Sequence, residues 1–533
     1  MPKKISCFLL SLLGIAILSG LFSLNYTYPL TLGKSSILYS DYGKFYHSQR
    51  QFIAGKNIYA PVYFIKNKKH TEPGHSLLSK PAIKPKRIGY VDHCAKANKK
   101  AAFFDYRNPA HPGSVSNETQ KKDAFPPSSC NDQRKLILAG NLNPPLFTLI
   151  TFPIAYLSYP HALLLWTFFS MLAGCIAILL IQQKLEPRSI LSLQTSLLLL
   201  IGFMCYFPTF VTLQFGQVSL LLLPLLVLGW RAAHDQKSTR AAVYLGLAAS
   251  LKPFIGLFLV YFFIRKEWRA LLAFISIILL SVFLTAVFFG IDTYYSYYQV
   301  CHQIAWAASS WNVSIYGFLL RLIGGPEANT PLIAIPGLFN VAYLFLSILL
   351  LLALVLFLRP LACIANLQKK TDIDFSIILV VMLLLSPLGW MYYFPFLSIP
   401  FLILWDLSKK GIYPIGLPLI LATLLLICNI PIILTPTNEI QSNNAISVFL
   451  GSSLYFSVLI GLMVLLFVIR FILSKKLIQN KPLQVFEKIP HSLLLLVCAI
   501  AFLPSLLGIT KTCSTWIRYA INYNTEYILI SQD

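Results

Sequence analysis

Long apolar stretches, broken by short polar clusters, set the pattern of this chain. Runs such as Ile5–Leu24, Val448–Leu473 and Ile489–Ile509 are long enough to cross ~30 Å of hydrocarbon as helices rising ~1.5 Å per residue. Ile5–Leu24 follows Lys3 and Lys4. Its apolar part exceeds the about 7–15 residues of a signal peptide and no A-x-A site follows, so it reads as a retained first span. Asn25–Asn143 is a long loop, and Pro144–Tyr159 is a proline-punctuated apolar segment that reads as re-entrant or lying on the membrane. Further spans are expected at 161–182, 190–212, 217–230, 241–251, 253–264, 270–289, 331–358, 375–388, 391–406, 412–434, 448–472 and 489–509. The fold class is therefore all-α: a polytopic helical membrane protein with about 12–13 transmembrane helices and a long first external loop.

Two pairs of runs depart from simple crossing. The stretches 241–251 and 253–264 are each too short to span, flank Lys252-Pro253, and carry cationic clusters at both outer ends. A hairpin of two half-helices with Lys252 at its tip inside the membrane satisfies both flanks. The pair 375–388 and 391–406 repeats this logic around Ser386-Pro-Leu-Gly-Trp-Met-Tyr-Tyr393. Interrupted helices are tolerated where backbone lines a cavity rather than lipid, so both tips point to a polar chamber on the external side.

Charge fixes the orientation. The chain has 533 residues, 57% hydrophobic and 12% charged, with a net charge of +24. That composition excludes a water-soluble enzyme, a disordered tail protein and a disulfide-framework peptide, and the charge is distributed for a membrane rather than for nucleic acid. With Lys3 and Lys4 inside, the segments on the cytoplasmic side hold 20 Lys and Arg. The short external segments hold three: Arg321, Lys511 and Arg518. This is a positive-inside pattern, and it places the N-terminus in the cytoplasm and the C-terminus outside. Residues 66–135, with 15 Lys and Arg against 6 Asp and Glu, form an external basic insertion of the kind that escapes that bias by its length. It reads as a solvated, partly disordered segment, or as a landing surface for anionic lipid or polysaccharide. The chain thus divides into a first transmembrane helix (1–24), an external loop (25–143) holding an amphipathic helix (41–54) and the insertion, a transmembrane core (144–408), and C-terminal spans with an external tail (409–533).

Of ten cysteines, six lie in or beside apolar spans as small hydrophobes. Cys94 and Cys130 share the external loop, where a disulfide is chemically allowed. No Cys-x-x-Cys pair and no His/Cys cluster at zinc spacing occurs, so neither a metal nor another cofactor is expected.

The candidate chemistry lies outside the long runs. Ser40-Asp41 opens a helical pattern with Tyr42, Phe45, Tyr46, Gln49, Phe52 and Ile53 on one face, ended by Gly55, as in a helix lying on a membrane surface. Asp41 is either its N-cap or a carboxylate able to take a proton from an acceptor hydroxyl. Lys252 is either a snorkelling or carbonyl-bound lysine or a phosphate ligand. Arg321 either pairs with Glu327 or binds a phosphate bidentately. Tyr294–Tyr298, Trp306 and Trp311 suit interfacial anchors, with sugar stacking the rarer use. Gln214 and Gln217 place two amides at the external end of a span, for hydroxyls or for capping.

These residues resemble a known family. Asp41-Tyr-x-x-Phe45-Tyr46 followed by Gly55-x-x-x-Tyr59 looks like the first-loop signature of glycosyltransferase family 87. Further blocks follow in the family's order: Asn143-Pro-Pro-Leu-Phe147 with Pro153 and Trp166; Gly216-Gln217; Gly246-Leu-Ala-Ala-Ser-Leu-Lys252-Pro253; and Ser386-Pro387 with Trp390. Asn312, Ser314 and Arg321 resemble one more piece. The resemblance implies a GT-C-like fold in a bacterial inner or cell membrane. It implies metal-independent, inverting transfer of a hexose, expected to be mannose, from a polyprenyl-phosphate sugar donor to a lipid or glycan acceptor on the external face. Membrane lipids, and no nucleic acid, are the remaining partners. It makes Asp41 the catalytic carboxylate and assigns substrate binding to Lys252, Arg321, Gln217, Asn312, Trp390, Tyr392 and Tyr393. This chain departs from the family in having Met391, Tyr392 and Tyr393 where a histidine tends to follow the Ser-Pro-x-x-Trp motif, and in its basic insertion. The rival readings are a lipid-linked glycan flippase or transporter, which needs charges on several spans, and a polysaccharide polymerase or ligase built on the external loop.

Overall fold

The computed structural model describes residues 41–60, 62–66, 90–92, 135–138, 140–186, 193–302, 307–327, 330–359, 367–409, 416–431, 444–478 and 527–530, with isolated positions at 20, 502, 504–506 and 509. The expected first span, the Cys94 and Cys130 pair, Trp306 and most of 489–509 lie outside the described residues.

The protein is a bundle of helices. Five described helices are long and apolar enough to cross a membrane: Tyr159–Leu185, Trp268–Phe289, Pro336–Leu358, Met391–Lys409 and Leu454–Leu473. Thr195–Cys205 and Phe207–Gln214, bent by 61° at their junction, make a sixth if they form one broken span. Large apolar side chains stay uncovered on these helices, among them Leu279, Phe283, Val341, Phe345 and Leu352. Such continuous apolar surface is stable against lipid and not against water. The chain is an integral membrane protein.

Several expected spans are shorter or broken, each for a local reason. The run read as 190–212 bends before Pro208, which has no N–H to give to a continuous helix. The freed Phe207 N–H donates instead to the buried Asn429 Oδ1 at 3.0 Å. The helix read as 375–388 begins earlier, at Leu367, and runs to Leu385. Its polar start can enter the bundle because Asp372 and Asp374 find partners there. Trp230 Nε1 donates to Asp372 at 2.8 Å, His234 Nδ1 lies 2.8 Å from the same carboxylate, and Arg470 Nε donates to Asp374 at 2.7 Å.

The Asp41–Ile53 helix does not lie on a surface. The segments Pro145–Thr151 and Phe152–Tyr156 pack over it and bury His47 and Ser48 as well as the expected face. Tyr46 donates to Leu157 O at 3.0 Å and Gln49 Nε2 to Thr151 Oγ1 at 2.7 Å. Burial, with Arg50 adding to it, pushes the His47 imidazole down to about 4, so it is neutral near pH 7.

The one non-helical layer among the described residues is an antiparallel sheet of β1 (Val62–Lys66), β2 (Tyr90–Asp92), β3 (Lys135–Leu138) and β4 (Tyr527–Ile530), in the order β2-β3-β1-β4. Its registers pair Val62 with Leu138, Tyr90 with Leu138, and Tyr63 with Ile530. Residues 527–530 therefore close onto the loop that follows Asp41.

Helix direction defines two ends of the bundle. Ser219–His234 starts where Ser219 Oγ donates to Tyr392 O and finishes ~24 Å away, by helical rise over its 16 residues, where Trp230 and His234 meet Asp372. Ser238–Leu251 returns from that far end to Lys252. The chain then turns and runs through Phe258–Ile264 back to Arg265, whose Nη1 lies 3.5 Å from Asp374. The geometry is that of a hairpin with Lys252 at its tip.

Candidate active site

The tip exists because of Pro253. A residue before proline is driven out of the helical region, and Lys252 is extended at φ −144° and ψ 103°. The helix ends there, and the ammonium enters the bundle, 8% exposed, with Nζ 5.8 Å from the centre of the Tyr393 ring.

Asp41 is the first residue of the Asp41–Ile53 helix, and a second turn holds it. Gly216 has φ +61°, a left-handed conformation that favours glycine. The turn it makes presents three groups. Phe215 O accepts from Tyr42 N at 3.2 Å, Gly216 O accepts from Trp166 Nε1 at 2.9 Å, and Gln217 Nε2 donates to Asp41 Oδ2. Tyr42 is buried against Trp166, ring centres 5.1 Å apart, and against Tyr159 at 5.9 Å. Phe45 packs on Phe147 at 5.0 Å, and Tyr59 donates to Asn143 O at 2.6 Å. The first-loop blocks are thus one packed unit that fixes the helix start.

The carboxylate is engaged on both oxygens. Lys44 Nζ lies 2.5 Å from Asp41 Oδ1, with Lys44 13% and Asp41 19% exposed at their side chains. The charges of Asp41 and Lys44 both act on Lys252, and that of Asp41 also acts on Tyr392 and Tyr393. Asp41, Lys44, Gln217, Lys252, Tyr392 and Tyr393 are therefore one electrostatic neighbourhood, beside Trp390, whose ring stacks on Tyr392 at 5.9 Å. Each carboxylate oxygen has two acceptor positions, so hydrogen bonds from Gln217 and Lys44 still leave lone pairs for a hydroxyl.

The Met391–Leu397 turn that carries the tyrosines is anchored from beneath. Thr212 Oγ1 donates to Tyr392 O at 2.9 Å, beside the bond from Ser219. On its other side, Val313 N donates to Gly389 O at 2.8 Å and Met391 N to Trp311 O at 2.9 Å. Gly389 permits this approach, since a Cβ there would lie 2.2 Å from Leu383 O.

Asn312 and Arg321, expected to bind substrate, both hydrogen-bond to this backbone. Asn312 is fully buried. Its Nδ2 donates to Ala307 O and Pro387 O, each at 2.8 Å, and its Oδ1 accepts from Ser314 Oγ at 2.8 Å. Arg321 Nη1 donates to Ser309 O at 2.8 Å and Asn312 O at 3.0 Å. Glu327, offered above as an Arg321 partner, accepts from Ala307 N at 2.8 Å and Ala308 N at 2.9 Å. Burial raises its carboxyl above the usual range while the two amide hydrogen bonds pull it down. Arg321 takes carbonyls and Glu327 takes amides of one loop, and their side chains hold it from two sides. A polar side chain beside several orphaned backbone groups serves those groups first, and sequence spacing does not show where such groups will be.

Lys44 is the residue that motif reading passed over. Its signal was available, since positions three apart share a helix face.

A partly buried carboxylate among two ammonium groups, an amide and tyrosines, at one end of a membrane-embedded bundle, is an arrangement for polar group transfer at a membrane boundary. Residues 141–387 are similar to the family model described as Glycosyltransferase family 87. That match supports a membrane glycosyltransferase. No curated protein and no solved structure is detectably similar to this chain.

Proposed function

We propose that the protein transfers a hexose, with mannose as the first candidate, from a polyprenyl-phosphate donor to a hydroxyl of a lipid or glycan acceptor at the external membrane face. The observation that carries this reading is the Asp41 carboxylate, held by Gln217 and Lys44 within the field of Lys252. Asp41 takes the acceptor proton as the acceptor oxygen attacks the anomeric carbon. The bond from that carbon to the phosphate oxygen breaks, and its electron pair leaves with the polyprenyl phosphate. Lys252 lies where it stabilises that developing charge. Trp390 and Tyr392 offer stacked aromatic faces to a sugar ring. Attack opposite to departure inverts the anomeric configuration.

The test is incubation of the purified protein with labelled polyprenyl-phosphate mannose and candidate lipid acceptors. Asp41→Asn is expected to stay folded and to lower transfer by about 10²–10⁴-fold, the range for loss of a general base. Transfer at the wild-type rate by that variant removes Asp41 as the base.

A further inference from the structure

A single junction of the chain reaches both Asp41 and the Trp390–Tyr393 turn. The helix Phe207–Gln214 ends in a Schellman turn: Gln217 N donates to Thr212 O at 2.9 Å and Gly216 N to Leu213 O at 3.0 Å. The helix Ser219–His234 starts at once, with the Leu221 and Leu222 amides donating to Val218 O at 3.0 and 3.1 Å. Gln217 and Ser219 thus sit two residues apart on backbone that is hydrogen-bonded on either side. Their side chains go to different elements. Gln217 Nε2 donates to Asp41 Oδ2, and Ser219 Oγ to Tyr392 O. A serine at a helix start ordinarily serves its own helix; here the proton goes outward.

The sequence supplies the reason. Tyr392 lies in the 3-10 turn Met391–Leu397, where a carbonyl is served by the amide three residues on. That residue is Pro395, which has no N–H. The Tyr392 carbonyl loses that partner, and a buried backbone group needs one. Two fully buried hydroxyls converge on it. Thr212 has one hydroxyl proton, which lies within reach of Pro208 O at 2.7 Å as well as Tyr392 O at 2.9 Å. Ser219 donates to Tyr392 O.

We infer that Ser219, supported by Thr212, is a positioning residue for transfer: it holds the Trp390–Tyr393 turn at a fixed place relative to the carboxylate that Gln217 holds. This rests on the function proposed above, in which Asp41 is the base and the Trp390 and Tyr392 rings receive the sugar. The base and the sugar face are then spaced by one short piece of rigid backbone. The residue after Tyr392 carries the ring that lies 5.8 Å from Lys252 Nζ, so the same bond also sets that ring. Ser219 acts through the Tyr392 backbone and not by contact with substrate.

The test measures initial rates of the full chain in lipid nanodiscs, well below the melting transition of every variant. Labelled polyprenyl-phosphate mannose is the donor, with the lipid acceptor that supports wild-type turnover. Ser219→Ala should lower kcat by about 10–100-fold, the cost of a misplacement on the order of 1 Å, with donor KM within about threefold of wild type. Gln217→Leu supplies the second arm. In that background the link to Asp41 is already lost, so Ser219→Ala should change kcat by no more than about twofold. Effects of the two substitutions that multiply in full overturn the inference, as does wild-type kcat in Ser219→Ala. A serine that only braces the fold predicts a lower melting temperature with kcat per folded molecule unchanged. Should Ser219→Ala fail to fold, Ser219→Cys, close in size and only a weak donor, carries the same test. Wild-type transfer by Asp41→Asn, or no transfer by the wild type, removes the proposed reaction and this inference with it. Normal kcat in Ser219→Ala beside an inactive Asp41→Asn removes only the role of Ser219.

Discussion

The two ends of the bundle use the same side chains to opposite purpose. At one end Asp41 is 19% exposed, with Lys44 on one oxygen and Gln217 on the other. At the other, Asp374 is fully buried, with Arg470 Nε at 2.7 Å on one oxygen and Arg265 Nη1 at 3.5 Å from the other. Arg265 is held in turn by Glu267 at 2.7 Å, and Asp372 is shared by Trp230 and His234. This closed network joins residues from four helical segments, and Lys409 to Glu186 at 2.7 Å adds a further tie. A charge in an apolar interior is tolerable only when paired and hydrogen-bonded. The far network pairs its charges within the protein and so acts as a fastener. The near group leaves its carboxylate partly exposed.

That contrast can be broken from either side. Asp41→Asn has the largest expected effect on transfer, with thermal stability in detergent close to wild type. Asp374→Ala should do the opposite. It leaves Arg470 buried without its carboxylate and is expected to cost about 3–5 kcal/mol of stability, seen as a fall in melting temperature and in monodisperse yield. Whatever folds should retain the affinity for polyprenyl phosphate. If Asp374→Ala proves thermally silent, the far network is not a fastener.

Gly389→Ala sits between the two. Its new Cβ would meet Leu383 O at 2.2 Å, and moving the Trp390–Tyr393 turn aside should cost about 1–3 kcal/mol, as overpacking does. A loss of transfer larger than the loss of stability, read by comparing initial rates with melting curves, would tie that turn to the site. Trp230→Phe should have the smallest effect. It removes one hydrogen bond to Asp372 while His234 remains, for about 1 kcal/mol, with no change in transfer.

Much of this organisation was legible before any coordinates. The Lys252-Pro253 pair between two short apolar runs announced a tip, because proline forbids a helical residue before it and the flanking cations required both ends on one side. The paired break at Ser386–Tyr393 was visible for the same reason. Asp41 and Gln217 each stood out as polar groups at the end of an apolar or amphipathic run. Lys44 was overlooked because attention fell on the aromatic face of its helix. The backbone bonds of Arg321 and Asn312 were not legible, because a residue type specifies what a side chain can bind, not which partner reaches it.

Sequence alone determined that this chain is a membrane helical bundle, where its Lys252 hairpin turns, and which few polar residues had to be explained. Those properties follow from local quantities: length of apolar run, position of proline, and sign of flanking charge. Only the tertiary structure decided that Gln217 meets Asp41, that Lys252 meets Tyr393, that the Asp41 helix is roofed over, and that Asp374 is locked by Arg470 rather than exposed. These are encounters between residues as many as about two hundred positions apart, and the free energy of a charge depends on the partners and the dielectric it finally meets.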